Sequence, residues 1–401
     1  MGFLILEPQA ARVLEGRTRW ACKLVRTDEH QAQESADELW FDAPVTDAGA
    51  LAPDDAEPFL IASLMLAMQE QRSIRVLGRV SRYLLQNLGE YMAFWSRVAP
   101  RLYRSVDIEV TTVDDAAPGD MGADVLGTGT AMAAFSGGLD ATFLAWRHHR
   151  RQVGWRSRDI GFFVMLSGFD IRHDRTGHVD ASMASARKTL ASIGAELKTL
   201  RTNLREVMPV KWDHLHGTSL VACFHFFKAH ARTMLVASCE PYDDLAIPWG
   251  MSPLCDHLLS SSSLRVIHDG AEFSRSEKAA AVAEWAQGRD HLRVCWQDKV
   301  SGGNCLRCEK CLRTMANFVT QGHPVPRSLG GDDRYLGRYI TRIKLRTPAQ
   351  ESEWRSILSA RFAGPRPMWH RWVPVLLFVG KLRRLFYIAK GQPERAGVTK
   401  I

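Results

Sequence analysis

From residue 131 onward, short apolar runs alternate with helical patterns, and this alternation limits the possible folds more than any other feature of the chain. AMAAF (131–135), GFFVMLSGF (161–169), AELKTLRTNL (195–204), TMLVASC (233–239) and LRVIHDG (264–270) read as strands. DATFLAWRHHR (140–150), ASMASARKTLASIG (181–194), GTSLVACFHFFKAHA (217–231) and SRSEKAAAVAEWAQG (274–288) read as helices. Strands this apolar must be covered on both faces, and helices between them supply the cover. The expectation is an α/β fold whose doubly wound parallel sheet occupies about residues 126–322. In its last helix Ser274 and Glu277 have the spacing of a capping box, and Gly288 marks the stop.

The flanks read differently. Residues 1–125 are expected to form an N-terminal α+β domain of unknown role, with FLIASLMLAMQEQ (59–71) as a buried helix, RSIRVLGRV (72–80) as a strand and turn, and SVDIEVTTV (105–113) as an alternating strand. DDAAPGDMGADVLGTGT (114–130) is rich in Gly, Asp and Ala and is expected to be a linker. Residues 323–401 form a basic C-terminal extension. Of 52 Lys+Arg and 44 Asp+Glu, 16 and 5 lie from residue 320 onward, so the tail carries about +11 and the rest about −3. Any attraction to anionic partners therefore belongs to the tail. Apolar residues at 46% and charged residues at 24% describe a globular chain and exclude disorder or a disulfide framework. The apolar stretch Val373 to Gly380 is too short to span a bilayer. The opening segment lacks a basic start and a long apolar centre, so the expectation is no signal peptide and a cytoplasmic location.

The strand AMAAF runs into Ser136, Gly137, Gly138, Leu139, Asp140, Ala141 and Thr142, and then into a helix. Glycines at such a turn permit positive φ and let backbone N–H groups gather around one anion beside the positive end of the helix. Neither G-x-x-x-x-G-K-[ST] nor G-x-G-x-x-G is present. Asp140 would repel phosphate unless a divalent cation such as Mg²⁺ bridged the two.

Cys305-x-x-Cys308-x-x-Cys311, with Cys295 ten residues upstream, offers four thiolates for a tetrahedral Zn²⁺ site. An iron–sulfur cluster is the rival reading. The two short spacings require a loop that wraps the metal, with Cys311 at the start of the helix EKCLRTMANFV (309–319).

SGGLDAT resembles the SGGxDS signature of the PP-loop ATP pyrophosphatases, with Ala141 where that family usually has Ser and Thr142 beside it. CWQDKVSGGNCLRCEKCLRT is similar to the zinc loop of the 7-cyano-7-deazaguanine synthase family, including Leu312 and Arg313. The resemblance covers somewhat under half of the chain. It implies an adenine-nucleotide-hydrolase-like fold of the HUP type and cleavage of ATP to AMP and pyrophosphate. The AMP is first attached to a carboxylate or carbonyl oxygen and then displaced by an amine or ammonia. It also implies nucleotide contacts at residues 136–142, adenine contacts from the backbone of Leu166 and Ser167, and a phosphate-contacting lysine that Lys278 matches by position. Arg275 lies one turn earlier on the same face. Ordinary helix charges remain the alternative for both. A tRNA-directed sulfur transferase and a non-catalytic nucleotide-sensing module are the rival functions.

The acceptor is a small molecule or macromolecule whose identity the sequence does not give. Polar residues at the carboxyl ends of strands are the candidates to meet it. His216, in WDHLHG (212–217), could orient a substrate or cap a helix. Asp243, Asp244, Trp249 and Asp256 lie in a long loop after TMLVASC. The tail residues 369–390 mix aromatic, aliphatic and basic side chains, which suit an anionic membrane surface, RNA, or packing onto the body. A homo-oligomer is the expected assembly.

Overall fold

The computed structural model describes residues 2–30, 32–115, 129–295, 297, 303–362 and 365–390. Most of the expected linker at 114–130 lies outside them. The strands are β1 (Phe3–Pro8), β2 (Arg12–Leu14), β3 (Arg17–Thr27), β4 (Gln33–Pro44), β5 (Ser73–Ser81), β6 (Ile108–Asp114), β7 (Ala131–Ala134), β8 (Ile160–Ser167), β9 (Glu196–Thr202), β10 (Thr233–Ala237) and β11 (Arg265–Asp269). The helices are α1 (Glu57–Glu70), α2 (Arg82–Val98), α3 (Leu139–His149), α4 (Thr176–Ala191), α5 (Leu204–Val207), α6 (Trp212–His225), α7 (Arg275–Ala283), α8 (Ala286–Asp290), α9 (Glu309–Thr320), α10 (Arg334–Tyr339), α11 (Pro348–Ser359) and α12 (Val373–Ala389).

The five apolar strands form the parallel run β11-β10-β7-β8-β9. Successive residues point to opposite faces. Met132, Phe162, Val164, Met234 and Val236 join a core with α1, α2 and α6, while Ala131, Ala133, Phe163, Met165 and Leu235 join one with α3 and α4. Helices thus cover both faces, and the strand order is Rossmann-like. The chain leaves β7 toward β8 and β9 and then returns to lay β10 on the other side of β7. The topological switch point therefore lies between β7 and β10, where crevices open at the carboxyl ends of strands in folds of this kind.

The N-terminal strands continue the same sheet in the order β9-β4-β3-β1-β5-β6. The joint between β4 and β9 is antiparallel and short, pairing Phe41 with Thr202 and Asp42 with Arg201. Asp42 is buried, yet three guanidinium groups reach it: Arg17 at 2.7 Å, Arg19 at 2.9 Å and Arg201 at 2.8 Å. Burial pushes this carboxyl up, and the three cations outweigh it and hold it below the ordinary range. Beyond the last pair, Asn203 continues the ladder with its side chain, accepting from the Trp40 amide and donating to the Glu38 carbonyl.

Helix α1 is apolar on nearly every side, and such a helix belongs inside a core. It is buried from Glu57 to Met68 and packs on α6. A polar knot fastens the two. Lys228 Nζ lies 2.6 Å from Asp55 and 3.0 Å from Glu57, and Ser81 Oγ donates to Glu57 at 2.6 Å.

Several boundaries differ from expectation: α4 starts at Thr176 rather than Ala181, α6 ends at His225 rather than Ala231, and two further differences have a clear packing cause. Helix α6 starts at Trp212 rather than near Gly217, because the buried His214 hydrogen-bonds Tyr103 (2.9 Å) and the Trp212 ring packs edge-on against Phe169. Helix α7 keeps its capping box but ends at Ala283, so Gly288 is not its stop. The break follows from Trp285, whose ring stacks on Trp146 (5.1 Å between centroids) and whose Nε1 donates to Ser192 Oγ. Gly288 lies in α8, where a Cβ would sit 2.4 Å from the Trp285 ring.

Replacing Lys228 with Met should cost about 3–5 kcal/mol, because two carboxylates would be left buried without their cation. Urea unfolding at neutral pH measures this, and a loss below about 1 kcal/mol would show that the knot is incidental.

Candidate functional site

The glycine turn lies at the switch point. Ser136 follows β7, Gly137 has φ +73°, and the Gly138 amide donates to Ser136 Oγ at 3.2 Å. Gly138 caps α3, so the first free N–H groups of that helix face the same turn. Leu139 is buried against Phe143, Ala279 and Val282, which leaves only its backbone for a ligand. Ala141 is buried in the core between α3 and the sheet. Thr142 is buried too, with its methyl group against Gly288.

Asp140, Arg275 and Lys278 come together. Arg275 Nη1 donates to Asp140 Oδ2 at 2.6 Å, and Lys278 Nζ lies 3.7 Å from Oδ1 and donates to the Ser238 carbonyl at 2.8 Å. Helix α7 packs on α3, and the three-residue spacing puts both cations on the facing side. Burial pushes the Asp140 carboxyl up, and Arg275, Lys278 and Lys310 more than offset this, holding it ionised below the ordinary range. Its Oδ1 is buried and accepts no hydrogen bond, which leaves a lone pair suited to a hard cation.

The sequence reading missed Glu353 of α11 and Glu240, which also belong to this cluster. Glu353 lies 3.8 Å from Arg275 and 3.4 Å from Arg313, and Arg313 also pairs with Glu309 at 3.0 Å. Burial holds Glu240 up to about 7. Against that, the Ala246 amide donates to its Oε2 at 2.7 Å. No local motif marks either residue, because each reaches the site through a long loop or a distant helix.

The four cysteines converge. Their sulfurs lie within 4.8 Å of one another, with Cys295–Cys308 at 3.9 Å, Cys305–Cys311 at 4.0 Å and Cys308–Cys311 at 3.4 Å. Four thiolates about 2.3 Å from one tetrahedral ion would be about 3.8 Å apart. The group could therefore hold a single metal ion such as zinc. Leu306 takes φ +60° to wrap the loop, Cys308 is the N-cap of α9, and Cys311 sits inside its first turn. Asn304, also missed from sequence, ties the two arms: its Oδ1 accepts from the Val294 and Cys295 amides, and its Nδ2 donates to the Leu292 and Ser328 carbonyls. Two residues before Cys295, the Arg293 amide donates to the Gly137 carbonyl at 2.8 Å, so the cysteine loop braces the glycine turn. Much of the C-terminal extension is built around the same cysteines, with Trp354, Trp369 and Val373 in one core with Cys308 and Cys311.

The other candidates are more scattered. Leu166 and Ser167 end β8, with Ser167 buried. His216 is in the first turns of α6, its Nδ1 3.1 Å from the Trp212 carbonyl and its ring edge-on to Trp249 at 5.1 Å. Burial pushes its pKa down. Asp243 and Asp244 are exposed on a short turn, and Asp244 accepts from Ser352 of α11. Asp256 is buried and lies 2.7 Å from His268, which makes it a structural partner of β11. A cleft of about 300 Å³ lined by His148, His149, Arg158 and Phe163 lies at the amino end of β8, at the opposite end of the sheet from the glycine turn.

Metal analysis of the purified chain should return about one zinc per chain, and chelation should lower the unfolding midpoint; a metal-free, chelator-insensitive protein would rule the centre out. Glu240 binds its proton more tightly when folded, so it costs stability as pH rises from 4.5 to about 7 and keeps that cost above. Glu240→Gln should therefore flatten the fall in stability across that window by up to about 3 kcal/mol, read as urea midpoints at several pH values. Comparisons of the chain with protein-family models, with curated proteins and with solved structures give no match.

Proposed function

We propose that the chain is a PP-loop-type ATP pyrophosphatase of the 7-cyano-7-deazaguanine synthase kind, acting as a carbon–nitrogen ligase. The observation that supports this most is the meeting of Asp140, Arg275 and Lys278 beside a glycine turn at the switch point of a Rossmann-like sheet. The turn offers backbone N–H groups to a triphosphate. Arg275 and Lys278, paired with Asp140, can turn to its oxygens as it enters. Bound Mg²⁺ would neutralise phosphate charge, and Asp140 is the residue that would hold it, through the oxygen that lacks a donor.

In this reading a substrate carboxylate or carbonyl oxygen attacks the α-phosphorus, and the bond to the β-phosphate breaks to release pyrophosphate. An amine or ammonia then attacks the adenylated carbon, and AMP leaves with the oxygen. The protein supplies position and charge. The four-cysteine centre, closed by four protein ligands, has a structural role. A sulfur transferase would need a reactive thiol or an iron–sulfur cluster. Burial pushes the Cys239 thiol up to about 12, which suits no sulfur carrier at neutral pH. In a four-iron cluster each cysteine binds its own iron, and sulfurs as close as these suit one shared ion better.

With ATP labelled at the α-phosphate, Mg²⁺ and a panel of carboxylates, the chain should form AMP, and Asp140→Asn should lower the rate at least about a hundredfold. A far-ultraviolet spectrum unchanged by the substitution separates this loss from misfolding. Release of ADP in place of AMP, or full turnover by the variant, would overturn the proposal.

A further inference from the structure

Helix α12 has two faces that do different things. Val373, Leu376 and Gly380 point inward, and Val373 and Leu376 join the core that holds the cysteine cluster. Gly380 lets the helix come close: a Cβ there would be 3.2 Å from Leu345 and 3.3 Å from Glu351. One turn on, Arg384 pairs with Glu351 at 2.9 Å. These contacts fix the rotation of the helix about its axis.

On the outward face Val375, Phe378, Val379, Leu382, Leu385 and Phe386 form a stripe at three- and four-residue spacing, each between 43% and 62% exposed. Single exposed apolar residues are ordinary on a protein surface, but a six-residue stripe on one helix is an interaction face. At 3.6 residues per turn, Lys381 falls on one border of the stripe and Arg383 and Lys390 on the other. Trp372, 41% exposed, and Arg371 stand at its start. The sequence has no Asp or Glu from residue 354 to residue 393.

From this we infer that α12 lies flat on an anionic lipid surface, with the stripe among the acyl chains and the lysines and arginines at the headgroups. An apolar stripe bordered by cations and free of acidic groups matches the cross-section of such an interface, which is apolar at its centre and negative at its edge. With 17 residues and several charges the helix cannot span a bilayer, and no described helix is long and apolar enough to do so. The anchor is thus peripheral and reversible. It stands on exposure and charge alone and is independent of the nucleotide reading.

The test is flotation of the full-length chain with vesicles of phosphatidylcholine alone and of phosphatidylcholine mixed with phosphatidylserine. The chain should float with the anionic vesicles and weakly or not at all with neutral ones. Phe378→Glu should weaken binding at least about tenfold, and Lys381→Glu with Lys390→Glu about fivefold or more per charge. Because these side chains are exposed, unfolding midpoints should be unchanged, which separates lost binding from lost fold. Equal binding to both vesicle types, or to neither, overturns the inference. So does self-association abolished by Phe378→Glu without vesicle binding, which would make the stripe an interface between two copies, or retention on RNA that vesicles fail to displace.

Discussion

A half-buried carboxylate at a helix start, with two cations brought to it from another helix, is the interaction on which the organisation of this protein turns. Burial pushes the Asp140 carboxyl toward its neutral form. Arg275 and Lys278 resolve the conflict, and in doing so they lock α7 onto α3. Arg275 also reaches Glu353, and Arg313 joins Glu353 to Glu309, so the compensation runs through two further helices, α11 and α9. The same arrangement leaves charged groups of both signs beside a glycine turn, which is costly to maintain.

The cysteine centre adds a mechanical element. Cys295 and Arg293 lie on one short segment: one end contributes a sulfur to the cluster, and the other hydrogen-bonds the carbonyl of Gly137. Order at the cluster is passed to the turn over only a few residues. The packing of Trp354, Trp369 and Val373 around the cysteines means that the C-terminal region takes its order from the same place.

How much of this could be read in the sequence depended on how local each signal was. The strand, glycine turn and helix at 131–149 and the four cysteines were legible because neighbouring residues decide them. The cations at 275 and 278 were legible through their spacing on a capped helix. Glu353, Glu240 and Asn304 were not, because each acts through a tertiary contact that no periodicity announces. The start of α6 was misplaced because aromatic and histidine residues are weak helix formers, and the packing of His214 on Tyr103 overrode that preference. The fusion of the N-terminal strands to the α/β sheet was equally hidden, since it rests on Asp42 meeting Arg201 across a long sequence separation. The tail, read as membrane contact, nucleic-acid contact or packing, packs along one side and stays bare along the other.

The joint between β4 and β9 constrains how the molecule can move. Only two residue pairs form the backbone ladder between the halves of the sheet, yet swinging one half away would break the Asn203 bonds to Trp40 and Glu38, strip Asp42 of a guanidinium and expose a shared apolar interior to water. A hinge at that seam would be slow and costly. Any motion beside the carboxyl ends of β7 and β10 must then come from the segments that border them, such as the exposed turn Tyr242–Asp244, and not from the opening and closing of two lobes.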